Sequence, residues 1–241
     1  MYSELKFNLS DSICDAVSPV ASDLFTSACP RLFDGFFITI EFLLLSTVIG
    51  FFVAVAVTFA RLSGNAILSY PASAFAYAFR GTPLLVQLWI VYYGIGSLGE
   101  ASLGPVLWFV FKDPWLVGLL VLVLNTSAYA SEILRGGLVN VPKGQMDAAM
   151  TIGMSWFQAM RRIMLPQAIR TAWPAYGTEI ILLMKGSALV STITVMDLMG
   201  QTRTVFARSF DLEVYVYAAL LYLTLAGTLT FTLSRVERLW R

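Results

Sequence analysis

The chain has 241 residues, of which 58% are hydrophobic and only 13% charged, with a mean hydropathy of +0.74. A soluble domain carries roughly 25% charged residues, so the deficit points to a bilayer as solvent. A net charge of +1 excludes a global basic footprint for nucleic acid, and the absence of His removes the commonest metal ligand and acid–base group.

Residues 1–34 contain no apolar core behind basic residues, so no cleavable signal peptide is expected there. Cys14 and Cys29 lack CxxC spacing, which sets aside a zinc or redox site and leaves two readings, a disulfide or two free thiols. A membrane helix needs about 20 mostly apolar residues, and five stretches qualify. The first, 35–60, contains one charge, Glu41. The second, 72–96, contains Arg80 and is interrupted by Arg80-Gly81-Thr82-Pro83, where a kink is expected. Tyr92, Tyr93, Trp108 and Trp115 flank the following loop and read as an interfacial aromatic belt. The third stretch, 115–134, contains Glu132; the fourth, 172–195, contains Glu179 and Lys185; the fifth, 214–234, contains no charge. Between the last two, residues 197–211 read as an amphipathic segment.

The loop after the third span carries fixed punctuation. Pro142 suits a first helical position, and a short helix is expected from about Lys143 to Ile152. Gly153 can take the left-handed conformation that ends it, and Ser155-Trp156-Phe157-Gln158 reads as a capping box opening a second helix to about Met164. Ala148 and Ala149 leave room for close packing. Met150, Met154, Trp156 and Phe157 supply adaptable apolar anchors of the kind that fill a groove. Two readings stand on physics alone: a docking device for another chain, or an interfacial hairpin packed on its own bundle.

Five spans put the termini on opposite sides, and basic residues decide which. One set of loops holds Arg61, Arg135, Lys143, Arg161, Arg162, Arg170, Arg235, Arg238 and Arg241; the other holds Lys6, Arg31, Lys112, Arg203 and Arg208. The richer set marks the cytoplasm, so the N-terminus is expected outside and the 135–171 loop inside.

Ionisable residues inside spans are functional candidates by default. At about 1.5 Å rise per residue, Arg80, Glu132 and Glu179 fall roughly 10–12 Å in from the cytoplasmic end, with Lys185 and Asn125 nearer the midplane. Glu132 and Glu179 could accept from a substrate ammonium group, and Arg80, Lys185 and Asn125 could donate to a carboxylate. Arg80 and Glu132 could equally pair with each other and hold the spans together. Lys185-Gly186-Ser187 reads as a helix break at membrane depth, tolerated where it faces a cavity.

Asp147-Ala148-Ala149, three residues, Gly153, nine residues, Ile163-x-Leu165-Pro166 resembles the EAA loop of ABC importer permeases, with Asp147 where the pattern has Glu. In that family the loop is the coupling helix that seats in a groove of the cytoplasmic ATPase. Phe79 to Gln87, Asn125 to Tyr129, Glu132 to Gly137 and Glu179 to Ser187 resemble the polar amino acid branch, histidine/lysine/arginine/ornithine and opine permeases of the M type. The resemblance covers residue 35 to the C-terminus and leaves 1–34 outside.

What it implies is an all-α integral membrane protein of five transmembrane helices, with a periplasmic N-terminal segment 1–34, a coupling loop 143–166 and a cytoplasmic C-terminus, in a bacterial inner membrane. The implied partners are a second permease subunit in a heterodimer, two cytoplasmic ATPases, a periplasmic binding protein, membrane lipid and a polar, basic amino acid or derivative. The chain has no G-x-x-x-x-G-K-[ST] phosphate loop, so it is not expected to be an enzyme; ATP and Mg belong on the partner. The alternative is an ion-coupled amino acid carrier subunit using the intramembrane carboxylates.

Overall fold

Ten α-helices carry the described chain, joined by short turns: α1 (Asp23–Leu62), α2 (Ala66–Gly81), α3 (Leu84–Trp89), α4 (Gly99–Phe111), α5 (Pro114–Val139), α6 (Lys143–Thr151), α7 (Trp156–Ala159), α8 (Leu165–Ser187), α9 (Leu198–Ser209) and α10 (Glu213–Trp240). The structure, a computed structural model, describes Cys14 and residues 23–240. Lys6, most of the expected N-terminal segment 1–34, and Arg241 lie outside the described residues. Four apolar helices are long enough to cross a membrane, over Leu24–Leu62, Leu84–Phe111, Pro114–Val139 and Glu213–Arg238. A fifth span results when Trp156–Ile193 and Leu198–Ser209, bent by 50° at their junction, count as one broken span.

Two expected spans are redrawn. The stretch 72–96 is two helices rather than one. α2 stops at Gly81, and Thr82 is extended (φ −116°, ψ 143°) because the residue before Pro83 is pushed out of the helical region. The apolar helix beyond the break then runs on through a π turn (Ile90–Ile95) and a 3-10 turn (Gly96–Leu98) to Phe111. The first helix begins well before residue 35, because Ala28 and Leu32 are themselves core residues and burial extends the helix past the purely apolar run.

The chain divides into two compact units. The first comprises the residues up to Ser46, Leu84–Leu122 and Leu183–Thr228; the second comprises Thr47–Pro83, Val123–Leu182 and Leu229–Arg241. In the first unit, Ala28, Leu32, Leu198, Val205 and Val214 form one core. Cys14 is disulfide-bonded to Cys29, which decides between the two readings of these thiols. α8 continues through Gly186-Ser187, so the expected break is displaced: a 3-10 turn (Ala188–Ile193) follows, and the chain turns at Thr194 (φ +69°). Asp197 then caps α9, accepting from the Gly200 N–H at 2.9 Å. Tyr93 and Trp89 donate to Thr192, at its carbonyl and its hydroxyl, both at 3.2 Å, and so tie α3 and its extension to the 3-10 turn.

In the second unit, α5 and α8 approach closely at Gly137. A Cβ there would stand 2.6 Å from the Ala168 carbonyl oxygen and 3.0 Å from the Ala172 Cβ. Just beyond, Val141, Met164 and Ala168, with Leu138, Met146 and Met160 against them, form the small core on which the 143–166 loop rests.

Candidate functional site

The loop is built as its residues dictate. Pro142 is the cap residue (φ −56°, ψ 128°) rather than the first helical residue, and α6 starts one position later. α6 ends where Gly153 takes φ +85°, with Gly153 N–H donating to the Met150 carbonyl at 3.0 Å and Met154 N–H to the Ala149 carbonyl at 3.1 Å. These bonds satisfy carbonyls that the helix end would otherwise leave open. The capping box is complete: Gln158 N–H donates to Ser155 Oγ at 3.3 Å, and Ser155 N–H donates to Gln158 Oε1 at 3.0 Å.

The second helix does not end near Met164. α7 passes through a π turn, Met160–Met164, straight into α8, and the Leu165 N–H bonds to the Met160 carbonyl five residues back. The wider turn lets Pro166, which has no N–H to give, sit in the first turn of α8 without breaking the helix. Ala149 (1% exposed) and Ala159 (0%) face inward, while Ala148 and the Asp147 carboxylate are exposed. Ile163 and Leu165 are half-buried and Pro166 is exposed. On the outer face stand Met150, Trp156 and Phe157, joined by Ile152 at 77% exposed, a residue the sequence reading passed over. Met154 is half-buried instead. Large apolar groups on a rigid scaffold, with an inner face fixed by its own small core, make a surface suited to entering another protein's groove.

The intramembrane charges each meet particular partners. Glu132 receives Arg80 (Nη1 to Oε2, 3.2 Å), Arg61 (Nη2 to Oε2, 2.7 Å) and Arg135, which reaches Oε1 through Nη2 and through Nε at 3.2 Å. One carboxylate thus ties the last turn of α1, the last turn of α2 and α5. Spacing marks Arg61 and Arg135 only as loop charges, and it cannot show that the last turns of α1 and α2 both meet Glu132. Arg80 also lies over the Tyr129 ring, 5.7 Å from its centroid, and Tyr129 donates to the Arg80 carbonyl at 3.2 Å. Asn125 Nδ2 donates to the Phe79 carbonyl at 3.4 Å, reinforcing the end of α2 ahead of the break.

Glu179, 7% exposed, accepts from the Thr126 hydroxyl at 3.2 Å and lies within electrostatic reach of Arg80. Lys185 belongs to the other unit and is exposed. Within the second unit, Arg80 and Glu132 are joined to each other with two further arginines, and Glu179 pairs with the Thr126 hydroxyl and feels the charge of Arg80.

Membrane-length helices and a loop studded with exposed apolar groups define a membrane-embedded subunit with a face suited to another chain. The chain belongs to the family of binding-protein-dependent transport system inner membrane components, whose profile matches residues 33–236. It is 40% identical over 217 residues to the nopaline transport system permease protein NocM of Agrobacterium fabrum, covering 90% of this chain and 88% of that protein. It is 38% identical over 209 residues to the histidine/lysine/arginine/ornithine permease HisM of Escherichia coli, covering 86% and 88%. Among solved structures, an amino acid ABC transporter crystallised with histidines superposes with a TM-score of 0.79 at 31% identity, covering 91% of this chain and 99% of that one. An inward-facing MetNI methionine transporter superposes at 0.72 over 92% and 100%, and at 20% identity that likeness concerns the fold. The chain is thus the non-catalytic inner-membrane permease of an importer whose ATPase is separate and whose substrate arrives on a binding protein. The ion-coupled carrier finds no support in these likenesses.

Proposed function

We propose that the chain imports polar amino acids with a cationic side chain, or derivatives of them such as opines, as one half of a permease heterodimer driven by two ATPase subunits that bind ATP and Mg. The observation that carries the reading is the loop itself. Its outer face presents Met150, Ile152, Trp156 and Phe157, and its inner face is locked by the Gly153 turn and the Ser155–Gln158 box. Such a loop transmits displacement instead of absorbing it. Asp147, Ala148, Ala149, Gly153, Ile163, Leu165 and Pro166 shape or present the surface that seats in the ATPase. ATP-driven closure of the ATPase pair then moves the loop as a lever and switches the permease between outward- and inward-open states.

Two features support a cytoplasmic loop. Among the described residues, the unit containing it carries nine Lys/Arg against four Asp/Glu, net +5, whereas the other carries five against eight, net −3. The basic half belongs inside. The Cys14–Cys29 disulfide, in the other unit, suits an oxidising compartment. The substrate class follows the named permeases for nopaline and for histidine, lysine, arginine and ornithine. Glu179, a buried carboxylate that accepts from the Thr126 hydroxyl, is the residue suited to meet a cationic group. Arg80, Asn125 and Lys185 remain donors for a substrate carboxylate, with Arg80 and Asn125 also holding the end of α2 and Arg80 also bound to Glu132.

The test is uptake of labelled arginine into proteoliposomes containing the complete importer, with ATP inside and binding protein outside, comparing wild type with Gly153→Asp. Uptake that requires ATP and collapses in the assembled variant supports the reading. Uptake without ATP, or unchanged in the variant, overturns it.

A further inference from the structure

In the second unit, a groove of about 220 Å³ opens between α1, α5 and α8, lined by Phe51, Val55, Phe59, Leu134, Leu138 and Leu165 among others. Its one hydroxyl, on Thr58, already donates to the Ala54 carbonyl at 2.7 Å and the Ser131 carbonyl at 3.1 Å, so the lining offers an occupant nothing but hydrocarbon. In a bilayer, the molecule present in excess with that chemistry is a lipid tail.

Three arginines stand within three residues of lining positions. Helical neighbours lie three or four residues apart. Arg61 is three residues beyond Thr58, Arg135 three before Leu138, and Arg162 three before Leu165. Arg61 and Arg135 share one carboxylate with Arg80, which leaves that cluster net positive. Arg162 is exposed, with no ion-pair partner among the described residues. Guanidinium groups at the mouth of an apolar groove match a phosphate attached to an acyl chain.

We propose that this groove is a site for an anionic phospholipid, with one acyl chain against Val55, Phe59 and Leu134 and the phosphate at Arg135 and Arg162. The placement of the headgroup rests on the membrane orientation proposed above and not on the transported substrate. The groove shares Leu138 and Ala168 with the core that seats the 143–166 loop, so the lipid would brace the loop where it leaves the membrane.

Native mass spectrometry of the intact importer, extracted from membranes holding phosphatidylglycerol, phosphatidylethanolamine and phosphatidylcholine, tests this without any transport assay. The expected result is retained phosphatidylglycerol in preference to the other two. Retention should fall at least fivefold in Val55→Phe, which fills the groove, and in Phe59→Ser, which makes it polar at an already exposed position. Arg162→Gln should abolish the headgroup preference while leaving lipid bound. Equal retention of phosphatidylcholine, no retention by wild type, or wild-type retention in both groove variants would overturn the proposal. Because lipid is weighed directly, its failure is distinguishable from failure of the coupling loop, which is read by uptake.

Discussion

Glu132 and Glu179 are both carboxylates within spans, and their surroundings assign them opposite work. Three arginines converge on Glu132, and the Arg61 side chain is only 13% exposed, so removing the carboxylate leaves a guanidinium buried without its partner. Glu132→Gln should therefore destabilise the solubilised complex by on the order of 2–3 kcal/mol, while Arg80→Gln, whose side chain is 39% exposed, should cost under about 1 kcal/mol. Thermal melts of the two variants check the order, and equal losses would contradict it. Glu179→Gln differs in kind, because a Gln carbonyl can still accept from Thr126 while the charge is gone. Assembly by size exclusion should match wild type, and uptake of cationic substrate should fall by more than tenfold; a complex that fails to assemble would make Glu179 structural. Hydropathy was enough to single out both carboxylates. It could not pair them, since Arg61 and Arg80 meet Glu132 only through helix rotations and packing that one sequence does not encode locally.

At the scale of elements, local chemistry was legible and tertiary contact was not. Ser155 with Gln158, and Gly153 two residues ahead, specify their own geometry through short-range bonds, and the structure contains both. The extent of the second span was not readable, because summed hydropathy bridges Thr82-Pro83 while the backbone there is extended. Nor was the need for Gly137. With the Ala168 oxygen 2.6 Å from where a Cβ would stand, Gly137→Ala must push α5 from α8 and should cost about 1–3 kcal/mol, read as a lowered melting temperature. Gly153→Ala meets no neighbour within 4 Å, so its cost is conformational alone, about 1–2 kcal/mol at φ +85°. Its signature is functional: the loop shifts at the turn, and ATP hydrolysis should persist while uptake drops. A variant that loses hydrolysis and uptake in parallel would point to general unfolding instead.

At the scale of the whole molecule, charge is divided unevenly. The same helices thread both units, since α1, α5, α8 and α10 each contribute residues to both, yet among the described residues one unit is net +5 and the other −3. A fold stabilised by bilayer burial has no internal need for that division. Insertion does, because Lys and Arg near span ends are retained on the cytoplasmic side while Asp and Glu matter little. Orientation follows, and it can be read directly. In a Cys14→Ser/Cys29→Ser background, Gly64→Cys and Gly144→Cys place single thiols where the structure leaves open space around the Cβ, both in the basic unit. Lys112→Cys places one at an exposed position between α4 and α5 in the acidic unit. A membrane-impermeant maleimide added to intact cells should label position 112 and spare 64 and 144; after permeabilisation all three should react. The opposite pattern would invert the topology and put the 143–166 loop beyond the reach of any cytoplasmic ATPase. That single outcome would undo the coupling proposal even if every local feature of the loop were correct, so the side of the membrane on which Gly144 lies bears more on the mechanism than any contact within the loop.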